Sequence, residues 1–180
     1  MIRWPSLSHF IAAGILVGVA GPVFVYAYVK SGAFNVAASH PHSLPVEWIT
    51  HETMINSVKR RAPNVEFPRT VAASREMSGF CQYETHCVAC HGAAAIARQQ
   101  WANGLNPQPP YLLDASQKWS SSELYWIVRN GIKMTGMPAW RESMTDEQMR
   151  DVVSFVATMS KMPPQTYERW RSGKVCRDER

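Results

Sequence analysis

Cysteine is scarce in this chain, with four in 180 residues. Cys87 and Cys90 stand as a C-x-x-C pair, but Cys81 and Cys176 are not the second close pair that a tetrahedral zinc site would need. Internal repeats and low-complexity tracts are also lacking, so the chain is not built from stacked copies of one unit. Its net charge of +5 gathers largely in two short runs, Lys59-Arg60-Arg61 and the segment from Arg169 onward. Such runs are ordinarily solvated surface or meet an acidic partner or lipid headgroups, and they do not suggest nucleic acid.

One stretch lacks charge altogether. Phe10 to Val29 runs twenty residues without an ionisable side chain of either sign, about 30 Å as a helix, which is the thickness of a bilayer's hydrocarbon core. Arg3 precedes it, Lys30 closes it, and Trp4, Tyr26 and Tyr28 stand at interfacial positions. That order puts the N-terminus in the cytoplasm. A cleaved signal peptide is the competing reading, with Val36-Ala37-Ala38 before Ser39 resembling a cleavage site. The length of the apolar run favours a retained anchor, Gly14-x-x-x-Gly18 permits close approach of another helix, and either reading takes the rest of the chain out of the cytoplasm.

What the sequence does contain is Cys87-Val88-Ala89-Cys90-His91. C-x-x-C-H is the arrangement by which a protein binds haem covalently: two thiols one turn apart each add to a porphyrin vinyl group, and the adjacent histidine reaches the iron. A thioredoxin-like pair has no need of that histidine. Around this motif, residues 71–162 read as a small all-helical domain. The first helix is expected from about Arg75 into the motif, with Phe80, Tyr83 and Cys87 at helical spacing. A long irregular stretch with Asn106-Pro107-Gln108-Pro109-Pro110 follows, reasonable where a large planar cofactor supplies core. The next helix has Ser120 and Glu123 as a capping box and ends at Asn130-Gly131. The last begins at Thr145 with Gln148 three residues on and turns Met149, Val152, Val153, Val156 and Met159 inward. Residues 1–30 are the anchor, 31–70 a connector with a short amphipathic helix over Val46–Arg61 ahead of Pro63 and Pro68, and 163–180 a basic tail.

A single histidine leaves a sixth position on iron. The candidates are Met134 and Met137, in Gly131-Ile132-Lys133-Met134-Thr135-Gly136-Met137-Pro138-Ala139-Trp140. A thioether there stabilises ferrous iron and raises the potential.

The C-x-x-C-H motif, the Pro-rich loop and the run from Glu123 to Trp140 together resemble a class I c-type cytochrome over roughly residues 72–162. The resemblance implies a cytochrome c fold, all-α, with three to five helices around one covalent haem c; here it would be preceded by one N-terminal transmembrane helix. It implies Met137 as sixth ligand, with Met134 a loop residue packing nearby. It also implies a loop proline whose carbonyl accepts from the ligating histidine: Pro110 fits best, with Pro107 and Pro109 as alternatives. Gly79 and Phe80 would meet the last helix near Phe155. Trp140 would contact the haem, whereas Trp119 and Trp126 read as core. Because the first and last helices of this fold cross, a Cys81–Cys176 disulfide clipping the tail back is one hypothesis and two free thiols the other.

The expected function is a membrane-anchored, single-pass monohaem cytochrome on the periplasmic side of a bacterial inner membrane. It would carry single electrons between redox protein partners, as part of a dehydrogenase or terminal oxidase complex, with no small-molecule substrate at iron and no enzyme activity of its own. The alternatives are a haem-based redox or gas sensor and a peroxidase-like protein; no signalling domain supports the first, and Arg141 alone stands near Met137 for the second. His40, His42 and His51 would be a metal site or ligands to a partner's haem, or, more simply, surface residues. His9 and His86 have no evident partner, and His86 is expected to face solvent.

Overall fold

The computed structural model describes residues 7–62, 66, 67, 72–173 and 176. Arg3, Trp4, Pro63, Pro68 and Val71, and the side chain of His9, lie outside the described residues. The chain divides into two compact units, one ending at His40 and the other beginning at Pro41.

The first unit is α1 (Leu7–Ser31) and the start of the connector. Its window Gly14–Ser31 has a mean hydropathy of 1.4 and no buried residue. Every apolar side chain described on α1 therefore faces outward, as in a membrane anchor or a signal sequence. Among the described residues it is the one helix long and apolar enough to cross a membrane. At its end the Ser31 hydroxyl donates to the Tyr28 carbonyl at 2.7 Å and accepts from Ala33 N–H at 3.2 Å, satisfying groups the helix leaves open.

Among its described residues the second unit is made of helices and the loops between them, without a strand. α2 (Leu44–Arg61) begins two residues before the expected start, because Pro45 in the first turn has its φ preset for a helix. Glu47 in the first turn and Lys59, Arg60 and Arg61 in the last complement the helix dipole. Val58 is buried, and α2 lies against the helix Ser121–Asn130.

The core forms where α3 (Ala73–His86) crosses α7 (Asp146–Met159), with α6 (Ser121–Asn130) alongside. Gly79 sets the crossing. A Cβ there would stand 2.8 Å from the Asp151 carbonyl carbon and 2.8 Å from Phe155 Cβ, so only a hydrogen fits. Next to it the rings of Phe80 and Phe155 meet edge to face at 5.8 Å. Met149, Val152, Val153, Val156 and Met159 are all buried, the inward stripe that the sequence spacing predicts. Each such side chain contributes roughly 1.5–3 kcal/mol relative to leaving it in water.

Both capping boxes form. Ser120 N–H donates to Glu123 Oε2 at 2.7 Å while Glu123 N–H donates to Ser120 Oγ at 3.3 Å. Thr145 and Gln148 do the same for α7, at 2.8 and 3.2 Å. Between the motif and α6 the irregular stretch carries two single turns, a 3₁₀ turn at Gln100–Gly104 and α5 (Ala115–Lys118).

The segment after Pro163 differs from the basic tail expected. Pro164–Ser172 is a helix, α8, with Pro164 in its first turn. Its charges face solvent, but Tyr167 is fully buried and Trp170 half-buried against Phe80, ring centroids 5.2 and 5.3 Å away. Two aromatics three residues apart among three charged neighbours, Glu168, Arg169 and Arg171, make a narrow apolar stripe that a charge-dominated reading passes over. Tyr167 Oη donates to Glu84 Oε1 at 2.5 Å, Arg171 Nε donates to Glu84 Oε2 at 3.2 Å, and Cys176 forms a disulfide with Cys81.

Candidate functional site

Cys87 is the hinge between α3 and the single-turn α4 (Val88–His91). The N–H groups of Cys90 and His91 both donate to its carbonyl, at 3.1 and 2.9 Å, so the two thiols and the imidazole sit within one turn. Gly92 then turns the chain with φ +64°; a Cβ there would lie 2.7 Å from Ile96 O and 2.8 Å from the Tyr111 ring. The buried Tyr83 fixes that corner by donating from its hydroxyl to Gly92 O at 2.5 Å. Both motif cysteines are free thiols. The Cys87 thiol is pushed up to about 12, chiefly by burial and then by Cys90 beside it.

His91 is held in one orientation. Its Nδ1 lies 2.7 Å from the carbonyl of Pro110. A carbonyl only accepts, so Nδ1 carries the proton and Nε2 keeps its lone pair. Burial lowers the imidazole below its ordinary range, outweighing the bond to Pro110, which raises it; the Arg98 charge lowers it further. A neutral imidazole with a fixed tautomer is what metal ligation requires.

Opposite chemistry comes from the loop after α6. Gly131, φ +65°, folds the chain back so tightly that a Cβ would lie 2.6 Å from both Met137 O and the Pro138 carbonyl carbon. Ile132 N–H donates to Met137 O at 3.2 Å, Thr135 Oγ1 donates to Ile132 O at 2.7 Å, and Met137 N–H donates to Thr135 Oγ1 at 3.1 Å. This closed loop holds Met137 half-buried, whereas Met134, at φ +61° on the same loop, is 88% exposed.

Two bridges join the histidine side to the methionine side. The stretch that carries Pro110 to His91 also lays Leu105 against Gly136, where a Cβ would lie 3.1 Å from the leucine. At the end of α3 the His86 ring meets Trp140 at 4.9 Å between centroids, so His86 packs on an indole rather than standing free in solvent. Burial lowers its pKa.

Two polar atoms here are buried without a partner, Trp140 Nε1 and Arg98 Nε. Arg98 is itself buried, donating to the Pro109 carbonyl and lying over the Tyr111 ring at 4.1 Å. Buried donors without acceptors are costly, and two of them in residues of one site call for an anionic or polar group between the loops. The donor set fits a haem in each respect: two thiols, an imidazole with a free lone pair, a half-buried thioether and unsatisfied donors for carboxylates.

The sequence reading missed Arg98, and it placed Tyr83 on the helix leading into the motif without giving its hydroxyl a role. Arg98 is the sole cation between His91 and Lys118, in a mostly apolar and amide-rich stretch, and that isolation was the available signal. Trp119 and Trp126 are half-buried, Trp119 against the core. Pro107 is exposed and Pro109 is engaged by Arg98. His42 and His51 are exposed, and no group of three metal-ligating side chains gathers among the described residues.

Residues 75–156 match the family described as Cytochrome C oxidase, cbb3-type, subunit III. No curated protein matches the chain. The matched span runs from the first turn of α3, through the motif and the methionine loop, to the inward stripe of α7. With a family that implies covalently bound haem c laid over this geometry, the chain carries a class I c-type cytochrome domain and is a haem electron-transfer protein.

Proposed function

We propose that the chain is a membrane-anchored monohaem cytochrome that passes single electrons into or within a respiratory complex on the periplasmic side of a bacterial inner membrane. Cys87 and Cys90 would hold the haem, His91 and Met137 would ligate its iron, and the Pro110 carbonyl orients His91. Trp140 Nε1 and Arg98 Nε, both buried without a partner, would be available to the haem's carboxylates. The haem supplies a one-electron Fe(III)/Fe(II) couple. The protein's part is to keep both axial ligands in place, so that neither redox state recruits water or substrate, and to exclude solvent with Tyr83, Leu105 and Trp140.

The observation that carries this reading is the paired geometry of a neutral, Pro110-bound His91 and a half-buried Met137 on loops tied to each other through Leu105 and Gly136. α1 supports anchoring by its length and outward apolar surface. Membership of an oxidoreductase complex is supported by the name of the matching family, which is that of an oxidase subunit, so a terminal oxidase is preferred over a dehydrogenase as the host.

Mild-detergent extraction of membranes tests both parts. The expected result is a haem-staining chain that resists alkaline carbonate, titrates as a single one-electron couple and co-purifies with a larger oxidoreductase. A carbonate-soluble chain or a two-electron titration would contradict it.

A further inference from the structure

The four cysteines make incompatible demands. Joining Cys81 to Cys176 removes two protons and two electrons, passed by thiol–disulfide exchange to a protein disulfide of the exporting compartment, which leaves as a dithiol. Thioether formation at Cys87 and Cys90 adds each S–H across a vinyl double bond, with a sulfur–carbon bond formed, the hydrogen placed on the neighbouring carbon and no net electron transfer. One pair must therefore be oxidised while the other stays reduced, in the same chain and compartment.

Proximity along the chain favours the wrong outcome. Cys81 is six positions from Cys87 and nine from Cys90, but 95 from Cys176. Loop-closure probability falls as about the 3/2 power of length, so an unfolded chain pairs Cys81 with a motif cysteine roughly 30 to 60 times more readily than with Cys176. Folding reverses this order. Along helical α3 six residues rise about 9 Å, beyond the Cα separation of about 7 Å that a disulfide spans. Meanwhile α8 is seated on the residues flanking Cys81: Tyr167 and Trp170 close on Phe80, one position before it, and Tyr167 and Arg171 bond Glu84, three positions after it. Five residues past Arg171, Cys176 arrives with its Cα 5.3 Å from that of Cys81.

We infer that the α3–α8 clasp selects the thiols for haem attachment: by joining Cys176 to Cys81 it removes both other cysteines, and above all the near one, Cys81, from reach of Cys87 and Cys90. The inference rests on the reading that Cys87 and Cys90 take the haem. It gives Cys176, Tyr167, Trp170 and Arg171, all remote from the axial ligands in sequence, a role in specificity rather than in electron transfer.

The test compares the full-length chain, Cys176→Ala and Cys81→Ala/Cys176→Ala in cells competent for c-type haem attachment. Both variants lack the disulfide, so its loss as a staple is common to them, and only the single variant leaves Cys81 free. Haem per chain, read as the pyridine haemochrome, is expected to fall several-fold in the single variant and to recover in the double variant. Non-reducing peptide mapping of the single variant is expected to show Cys81 joined to Cys87 or Cys90. Equal haem loading in the two variants, whether full or reduced, or the absence of such a cross-link, would overturn the inference. A parent chain without haem would instead overturn the reading of Cys87 and Cys90.

Discussion

His91 and Pro110 show how little freedom the site leaves to a single side chain. The Pro110 carbonyl fixes the proton on Nδ1, and burial keeps the ring neutral, so the lone pair is available without first displacing a proton. His86, five residues earlier, is lowered by the same physical cause as it packs on Trp140. Because its folded pKa lies below its unfolded value, its contribution to stability is fully present above about pH 6.5 and is lost as pH falls toward the folded value. An NMR titration of the His86 ring in the holoprotein is expected to give a midpoint below 6.5; a midpoint at or above it would contradict the packing on Trp140. Tyr167→Phe removes the bond to the Glu84 carboxylate and is expected to cost about 2 kcal/mol in urea unfolding, with the haem spectrum unchanged. At this scale the covalent logic was legible in the sequence, since thiols, imidazole and thioether carry their chemistry in their type and spacing. Arg98 was not, because its importance comes from the loop at Pro109 and Tyr111 that folds over it.

Among the elements, α3 and α7 were readable because their local signals agree with their packing. The capping box at Thr145 and Gln148 marks the start of α7, and its apolar stripe faces the crossing. Thr145→Ala is expected to cost about 1 kcal/mol. Gly79→Val should cost more, about 3 kcal/mol, since its Cβ would collide with backbone at Asp151 that cannot move aside without separating the helices. Both losses are measurable by denaturant unfolding followed at the helix band, and a near-neutral Gly79→Val would mean that the helices cross elsewhere. α8 was not legible in the same way: only the presence of Phe80 and Glu84 on another helix reveals that Tyr167 and Trp170 have something to bury against.

For the whole molecule, two features of the sequence decide the functional reading, the uncharged span in α1 and the cytochrome domain that follows. Intact mass of the detergent-extracted protein is expected to include Phe10 to Val29; a mature chain beginning at Ser39 would make α1 a removed signal. The central claim is that His91 and Met137 both ligate iron, which makes the domain an electron carrier rather than a sensor or a peroxidase. The most direct test is the optical spectrum of the purified holoprotein with and without carbon monoxide. A weak near-infrared methionine-to-iron band in the oxidised form, a reduced form unaltered by carbon monoxide, and loss of both properties in Met137→Ala but not in Met134→Leu are the expected results. Immediate carbon monoxide binding by the reduced parent protein would contradict the account.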